Sequence, residues 1–141
     1  MTTTHVARAG ATTTNSAPPW RVELRAGAHH LIADESIATG GGDAGPTPFE
    51  LVLSGLAACT ATTLRMHAER KGWMLTAVEV DVRYDVTDDD QASIVRTITV
   101  PAELPTAQRE RLARIAERTP VTRAVRAGTS ITTTVRTAGP Q

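Results

Sequence analysis

The sequence contains a single cysteine, Cys59, among 141 residues. One cysteine cannot form an internal disulfide, and it excludes metal sites built from cysteine alone. A chain without disulfides is typical of a reducing compartment, so we expect a cytoplasmic protein. A chain of this length can bury its own hydrophobic core without disulfides or a structural metal.

Lysine and aromatic residues are also scarce. Fourteen arginines and one lysine balance fifteen acidic residues, and the four aromatic residues are not interleaved with a basic patch. We therefore expect no nucleic-acid partner. No apolar run approaches the roughly 18 residues of a membrane span, so we expect no membrane partner. His29 and His30 are adjacent on a predicted strand and point to opposite faces, which argues against a shared metal ion.

The pattern of apolar residues predicts one domain over residues 20–137, preceded by a flexible tail. Residues 1–19 are rich in Thr and Ala and lack the apolar segment of a signal peptide. Alternating apolar residues predict a hairpin over 20–34 and strands over 76–86, 93–100 and 130–136. Strands that come in hairpins indicate an α+β fold with an antiparallel sheet of about five to six strands.

A long apolar helix follows the glycine-rich loop, which we expect to be flexible. Thr47 is the predicted N-cap, Pro48 takes the first helical position, Glu50 completes a capping box and Gly72 ends the helix. Apolar side chains point in all directions around its axis, so we expect it to be buried on most sides and packed on the sheet. Thr106 is the predicted cap of a second helix, which Pro120 interrupts.

Cys59 lies in the middle of the long helix, and the residues alone leave two interpretations open. Free cysteine is among the most buried residue types and often serves as a small apolar packing residue. A lone thiol can also be a nucleophile, provided that its surroundings favour the thiolate.

Three segments favour the second interpretation: "GGGDAGPTPFEL", "LAACT" and "AERKGW". Their order and spacing resemble the osmotically inducible protein C and organic hydroperoxide resistance (OsmC/Ohr) family over residues 20–136. The resemblance implies an OsmC-like fold in an intertwined homodimer, with active sites at the subunit interface. It also implies that Cys59 is the thiolate that reduces an organic hydroperoxide and becomes a sulfenic acid.

The resemblance further implies an arginine from the N-terminal strands that stabilises the thiolate. Arg21 and Arg25 are the candidates, on the same face of the predicted strand, and we favour Arg21. A carboxylate holds this arginine in the family, and Glu50 is one candidate, nine residues before Cys59. That spacing places Glu50 half a turn away around the helix, which favours its capping role.

Asp43, Glu35 or a group from the partner subunit are the alternative carboxylates. The family's second cysteine, which opens a "CP-x-x-R" segment, is replaced here by Thr119. The resemblance therefore implies a one-cysteine peroxidase that needs an external thiol as reductant and no cofactor. The alternative is a catalytically impaired dimer of this fold that binds a small molecule or acts as a stress-associated protein.

Overall fold

Helix α1, Pro48–Lys71, is the longest element of the computed structural model, which describes residues 1–13, 15 and 18–139. The backbone N–H of Thr47 donates to Glu50 Oε2 at 2.7 Å, and the backbone N–H of Glu50 donates to Thr47 Oγ1 at 3.3 Å. This capping box satisfies N–H groups that the first turn leaves free. Gly72 follows the helix with a φ of 67°. The predicted bounds of the helix are confirmed.

The chain divides into two compact units, Met1–Ser54 and Gly55–Gln141. The first contains strands β1 (Ala9–Thr12), β2 (Val22–Ala26) and β3 (His29–Ala33), which form an antiparallel sheet in that order. The hairpin of β2 and β3 confirms the prediction for residues 20–34.

Strand β1 was not predicted, and it lies within the residues assigned to a flexible tail. Its sequence, Ala-Gly-Ala-Thr, shows no alternation between apolar and polar side chains, and all four residues are exposed. Pairing of Ala9 with Ala26 and of Thr12 with Glu23 defines the strand instead. The assignment of residues 20–137 to a single domain stays a prediction.

The second unit contains one hairpin and two further helices. Strands β4 (Glu79–Val86) and β5 (Ala92–Thr99) pair antiparallel, and helices α2 (Thr106–Ala116) and α3 (Pro120–Ala127) follow. Thr106 is the first residue of α2 rather than its cap, since Pro105 takes that position.

Residues 128–139 contain no strand, so the strand predicted over 130–136 is absent. A strand needs a neighbour for its backbone hydrogen bonds, and no described strand pairs with this segment. The α+β class is confirmed, with the five observed strands in two small antiparallel sheets rather than one.

The core of the second unit forms where α1 meets α2 and the β4–β5 hairpin. Its buried members are aliphatic: Leu64, Ala68, Leu75, Leu104, Leu112 and Ala116. Val78 and Ile98 pack against them, which places the β-hairpin on this side of the helix. Leu64 is fully buried, and burying such a side chain contributes about 2 kcal/mol.

Helix α1 is buried along one stripe only, formed by every fourth residue: Leu56, Thr60, Leu64 and Ala68. Phe49, Val52 and Met66 are 56%, 49% and 48% exposed. Burial on most sides, as the sequence predicts, is therefore not reached within one chain. No helix in the described ranges is long and apolar enough to cross a membrane.

The surroundings of the His67 side chain disfavour its protonated form. Its ring meets that of Trp73 edge to face, with centroids 5.3 Å apart, and its Nε2 is buried without a hydrogen-bond partner. Burial lowers the pKa of His67, and the positive charges of Arg111, Lys71 and Arg70 lower it further. The folded state therefore favours the neutral ring.

We predict that His67 makes the fold sensitive to mild acid. The unfolded chain takes up this proton near pH 6.5, its ordinary pKa of about 6.5, and the folded chain only at lower pH. Between the two values the unfolded state binds more protons, so the stability from the neutral ring is present above about pH 6.5 and falls below it. Urea unfolding at about pH 7.5 and about pH 5.5 should show a smaller loss for His67→Leu than for wild type. His29→Leu, at an exposed histidine, is the control, and equal losses in all three proteins would contradict the assignment.

Candidate active site

Cys59 lies on α1 between the exposed Ala58 and the buried Thr60, with a free, half-buried thiol. Side chains seven residues apart lie on nearly the same face of a helix, because seven steps of 100° fall 20° short of two turns. Val52, Cys59 and Met66 therefore form one stripe, which we call the Cys59 stripe. Its two flanking members are about half exposed, so the thiol lies on a side of α1 that the chain itself leaves partly open.

A largely buried hydrogen-bond network centres on Arg96 of β5, whose side chain is 11% exposed. Its Nη1 donates to Thr60 Oγ1 at 2.9 Å and to Thr122 Oγ1 at 2.8 Å. Its Nη2 donates to the carbonyl oxygen of Ala116 at 2.9 Å and lies 3.5 Å from Glu117 Oε1. One guanidinium thus joins helices α1, α2 and α3.

Three threonines extend this network. Thr60 Oγ1 donates to the carbonyl oxygen of Leu56 at 2.8 Å, one turn back along α1. The hydroxyls of Thr119 and Thr122 are hydrogen-bonded to each other at 2.6 Å, and Thr119 is 1% exposed. Thr119, the position at which the resemblance implies a second cysteine, is therefore a buried member of the network, two side chains from Arg96.

Sequence reasoning missed Arg96, although a signal was present. Ile94, Arg96 and Ile98 lie on the same face of β5, since successive side chains of a strand point to opposite faces, and all three are partly buried. Arg96 therefore occupies an inward position between two apolar side chains. An inward arginine in an alternating strand indicates a buried polar partner, because burying an unpaired charge is costly.

An open cleft of about 520 Å³ borders the network. Its apolar wall comprises Leu56, Tyr84, Ala92, Ile94 and Val125, and its polar wall comprises Ser93, Arg96, Glu117, Thr122 and Arg126. Cys59 is not part of the lining, but Leu56 lies about one turn before it on α1. Glu117 also pairs with Arg126, which places opposite charges at the rim.

Cys59 belongs to the second unit. The other predicted site residues belong to the first unit: Arg21, Arg25 and Glu50. Arg21 directly precedes β2 and is half-buried, whereas Arg25 lies within β2, is exposed and pairs with His30. Glu50 is engaged in the capping box. The roles of these three side chains beside Cys59 stay predictions.

A carboxylate that the sequence did not single out, Asp34, organises the first unit. It is 1% exposed and accepts hydrogen bonds from the backbone N–H groups of Glu35 at 2.8 Å, Gly42 at 3.2 Å and Ala44 at 3.1 Å. The bond from Ala44 is the main cause that lowers the pKa of Asp34; the other two bonds and the charge of Arg21 also lower it, against burial. Asp34 thus fills a cradle of N–H groups in the glycine-rich loop.

The same loop approaches the end of β3 too closely for a larger residue. A Cβ at Gly41 would collide with the backbone of Glu35, and one at Gly45 with the backbone of Ile32. The loop has no regular secondary structure, but these contacts and the bonds to Asp34 define its path up to the cap of α1. Among the residues that the structure describes, no cluster of His, Cys, Asp and Glu could hold a metal ion.

We predict that Asp34→Asn lowers the thermal midpoint of unfolding, because one of the two acceptor oxygens becomes an NH2 donor. This donor faces the N–H of Glu35 if it replaces Oδ1, or the N–H groups of Gly42 and Ala44 if it replaces Oδ2. The wild-type carboxylate contributes stability above its ordinary pKa of about 3.9, and this is lost as pH falls through the lower folded value. Asp34→Asn should remove that acid-dependent part. Asp43→Asn, an exposed change at a position with a φ of 52° that Asn tolerates, is the matched control. Equal midpoints for the two variants in differential scanning calorimetry would show that the cradle contributes nothing.

Comparison with known proteins assigns the chain to a family. The family model described as OsmC-like protein matches residues 40–134, and no curated protein matches. Among solved structures, a protein from Psychrobacter arcticus named for osmotic stress induction and a detoxification response superposes with a TM-score of 0.72 at 17% identity, over 88% of this chain and 91% of that one.

Two further structures are named as organic hydroperoxide resistance proteins. The one from Legionella pneumophila has a TM-score of 0.64 at 20% identity, over 89% of this chain and 92% of that one. The one from Vibrio cholerae, with captopril bound in one of its active sites, has a TM-score of 0.60 at 20% identity, over 89% and 88%. At these identities the structures show a shared fold, and the family model spans more than half of the chain. The chain therefore belongs to the OsmC-like family, the OsmC/Ohr family that its motifs indicate.

Proposed function

We propose that this protein is a thiol peroxidase that reduces organic hydroperoxides through Cys59. The observation that carries the proposal is the position of the chain's only thiol: free, half-buried and on the partly open side of α1, within the segment that matches the family model. Relatives of the same fold from Legionella and Vibrio are named organic hydroperoxide resistance proteins, in agreement with this chemistry.

The oxidative step needs one sulfur and one peroxide. The Cys59 thiolate attacks the terminal oxygen of the hydroperoxide, an S–O bond forms, and the O–O bond breaks. The alkoxide leaves and takes up a proton to become the alcohol, while the sulfur is oxidised to a sulfenic acid. The apolar cleft wall near Leu56 suits the organic part of such a substrate, because apolar surface favours an alkyl group over water.

The return step needs an external thiol. Thr119 has no sulfur and Cys59 is the only cysteine, so the sulfenic acid cannot be resolved within one chain. A first external thiol condenses with it to a mixed disulfide and releases water; a second thiol displaces Cys59 and leaves as the oxidised disulfide. Captopril, held by the Vibrio relative in an active site, is itself a small thiol, which supports access for this class of reductant.

Arg21 remains our preferred cation for the thiolate. It is half-buried, and its charge acts on the buried carboxylate of Asp34. We propose that Asp34 takes the part of the carboxylate that holds this arginine, in place of the candidates Glu35 and Asp43. Glu50 is better assigned to the start of α1, because its Oε2 already accepts the N–H of Thr47.

We also propose that a second copy of the chain covers the Cys59 stripe. The flanking Val52 and Met66 are about half exposed, and the segment without a strand partner carries Ile131 and Val135 at 88% and 91% exposure. Apolar side chains left in water at the position of the proposed nucleophile favour a partner, since burying them is the main driving force of association.

We predict that Met66→Asp weakens this homodimer, because it places a charge on a surface that must lose its water. Sedimentation velocity should show a dimer for wild type and a shift to monomer for the variant at micromolar concentration. Arg65→Asp introduces the same side chain at the neighbouring exposed position and is the control. A wild-type monomer, or a Met66→Asp protein that stays dimeric, would contradict the proposed interface.

We predict that Cys59→Ser abolishes hydroperoxide consumption, with a loss of at least about hundredfold, because a serine hydroxyl is not ionised at neutral pH. The assay follows cumene hydroperoxide with dithiothreitol as the external thiol. Thr62→Ser, an equally small change on the exposed side of the same helix, should keep wild-type activity. Consumption by Cys59→Ser at the wild-type rate would reject the proposed function.

A further inference from the structure

We infer that Arg96 is a positioning residue for Cys59 and acts on it through Thr60. The inference rests on the proposed function only for its kinetic consequence, since the position of the thiol can be probed without any peroxide. The geometry that carries it is the chain of contacts from Arg96 Nη1 to Thr60 Oγ1 at 2.9 Å and from Thr60 Oγ1 to the carbonyl oxygen of Leu56 at 2.8 Å.

Thr60 can link the position of Arg96 to that of Cys59, because it is fully buried and directly follows Cys59 in the sequence. Its hydroxyl is both donor and acceptor: it donates within the turn of α1 that contains Cys59 and accepts from a neighbouring strand. This pair of bonds defines how that turn is rotated about the helix axis. Because consecutive side chains lie 100° apart, the rotation of Thr60 also sets the direction of Cys59.

A guanidinium is suited to hold this rotation where an ammonium is not. Nη1 binds Thr60 and Thr122 while Nη2 binds Ala116, so one rigid plane fixes α1 against the end of α2 and the start of α3. A lysine has three donors, but they share one nitrogen and lack the fixed planar geometry of the guanidinium, so it holds the rotation less firmly. Burying this charge also costs free energy, and its partners are neutral except for Glu117 at 3.5 Å. An arrangement that costs stability but fixes geometry indicates a positioning role.

The kinetic consequence follows from the small tolerance of a reacting group. A misplacement of about 1 Å can cost up to about 10²-fold in rate. Arg96 and Leu56 also line the cleft, so two of the residues whose hydrogen bonds orient this turn of α1 border the space proposed for the organic part of the substrate. Loss of the Arg96–Thr60 bond should therefore lower kcat even in a variant whose free energy of unfolding stays close to that of the wild type.

The test compares Thr60→Val, which keeps the shape but removes the hydroxyl, with Thr60→Ser, which keeps the hydroxyl. We expect Thr60→Val to change the rate of Cys59 alkylation by iodoacetamide severalfold across the pH profile. We also expect its kcat for cumene hydroperoxide to fall by about tenfold while KM changes little. Thr60→Ser should stay within about twofold of wild type in both assays. Thr62→Val, the same substitution on the exposed side of α1, is the matched control.

Arg96→Lys is the second variant, and it carries the test alone should Thr60→Val fail to fold. It keeps the charge but not the fork, so it disrupts the bond to Thr60 together with the bonds to Thr122 and Ala116, and we expect changes at least as large as in Thr60→Val. The double variant should show no loss beyond that of Arg96→Lys, because the bond to Thr60 is already absent in that variant. Additive losses would mean that Arg96 acts on activity by another route.

The outcomes separate this inference from the proposed function. Alkylation and turnover of Thr60→Val at wild-type rates would overturn the inference and leave the peroxidase proposal standing. If the wild-type protein consumes no hydroperoxide but Thr60→Val still alters the alkylation rate of Cys59, the peroxidase proposal is rejected and the positioning role is supported.

Discussion

The guanidinium of Arg96 is the interaction on which the helices of the second unit depend. It donates hydrogen bonds to the last carbonyl oxygen of α2 at Ala116, to the hydroxyl of Thr122 in the first turn of α3, and to the hydroxyl of Thr60 on α1. A helix end leaves its final carbonyls without partners, and a positive charge there is favourable. The aliphatic core around Leu64 and Leu112 supplies the free energy of packing, while the directional bonds of Arg96 determine how the helices meet.

This arrangement bears on the chemistry of a chain with one cysteine. Thr119, where the resemblance to the family implies a second cysteine, is buried and bonded to Thr122, so in this chain the position serves packing and hydrogen bonding. In the proposed reaction the thiol of Cys59 is reached from outside by both hydroperoxide and reductant. Its place on the partly open side of α1, next to the buried Thr60, combines access with a fixed position.

The sequence predicted the elements whose signals are local. The bounds of α1 follow from Thr47, Pro48, Glu50 and Gly72, each of which acts within a turn of the helix end. The hairpins follow from alternation and turn residues. Strand β1 was missed because it lacks alternation, and the strand predicted over 130–136 is absent because alternation alone supplies no pairing partner.

The site was harder to predict because its organisers act across the chain. The partners of Arg96 lie 36, 26 and 20 residues away, and no local pattern names them. The carboxylate of Asp34 accepts hydrogen bonds from backbone N–H groups, which every residue type except proline provides. Cys59 could be singled out because it is the only thiol and lies in a family motif.

Oxidation of Cys59 can be tested by the intact mass of the protein after one equivalent of cumene hydroperoxide, with a sulfenic-acid trap present and external thiol absent. If Cys59 reduces the hydroperoxide, the mass increases by one trap molecule, at Cys59 only, and added thiol prevents the increase. An unchanged mass with full recovery of the free thiol would contradict the proposed reaction, and the chain would then be a member of the family that keeps the fold without the oxidative step.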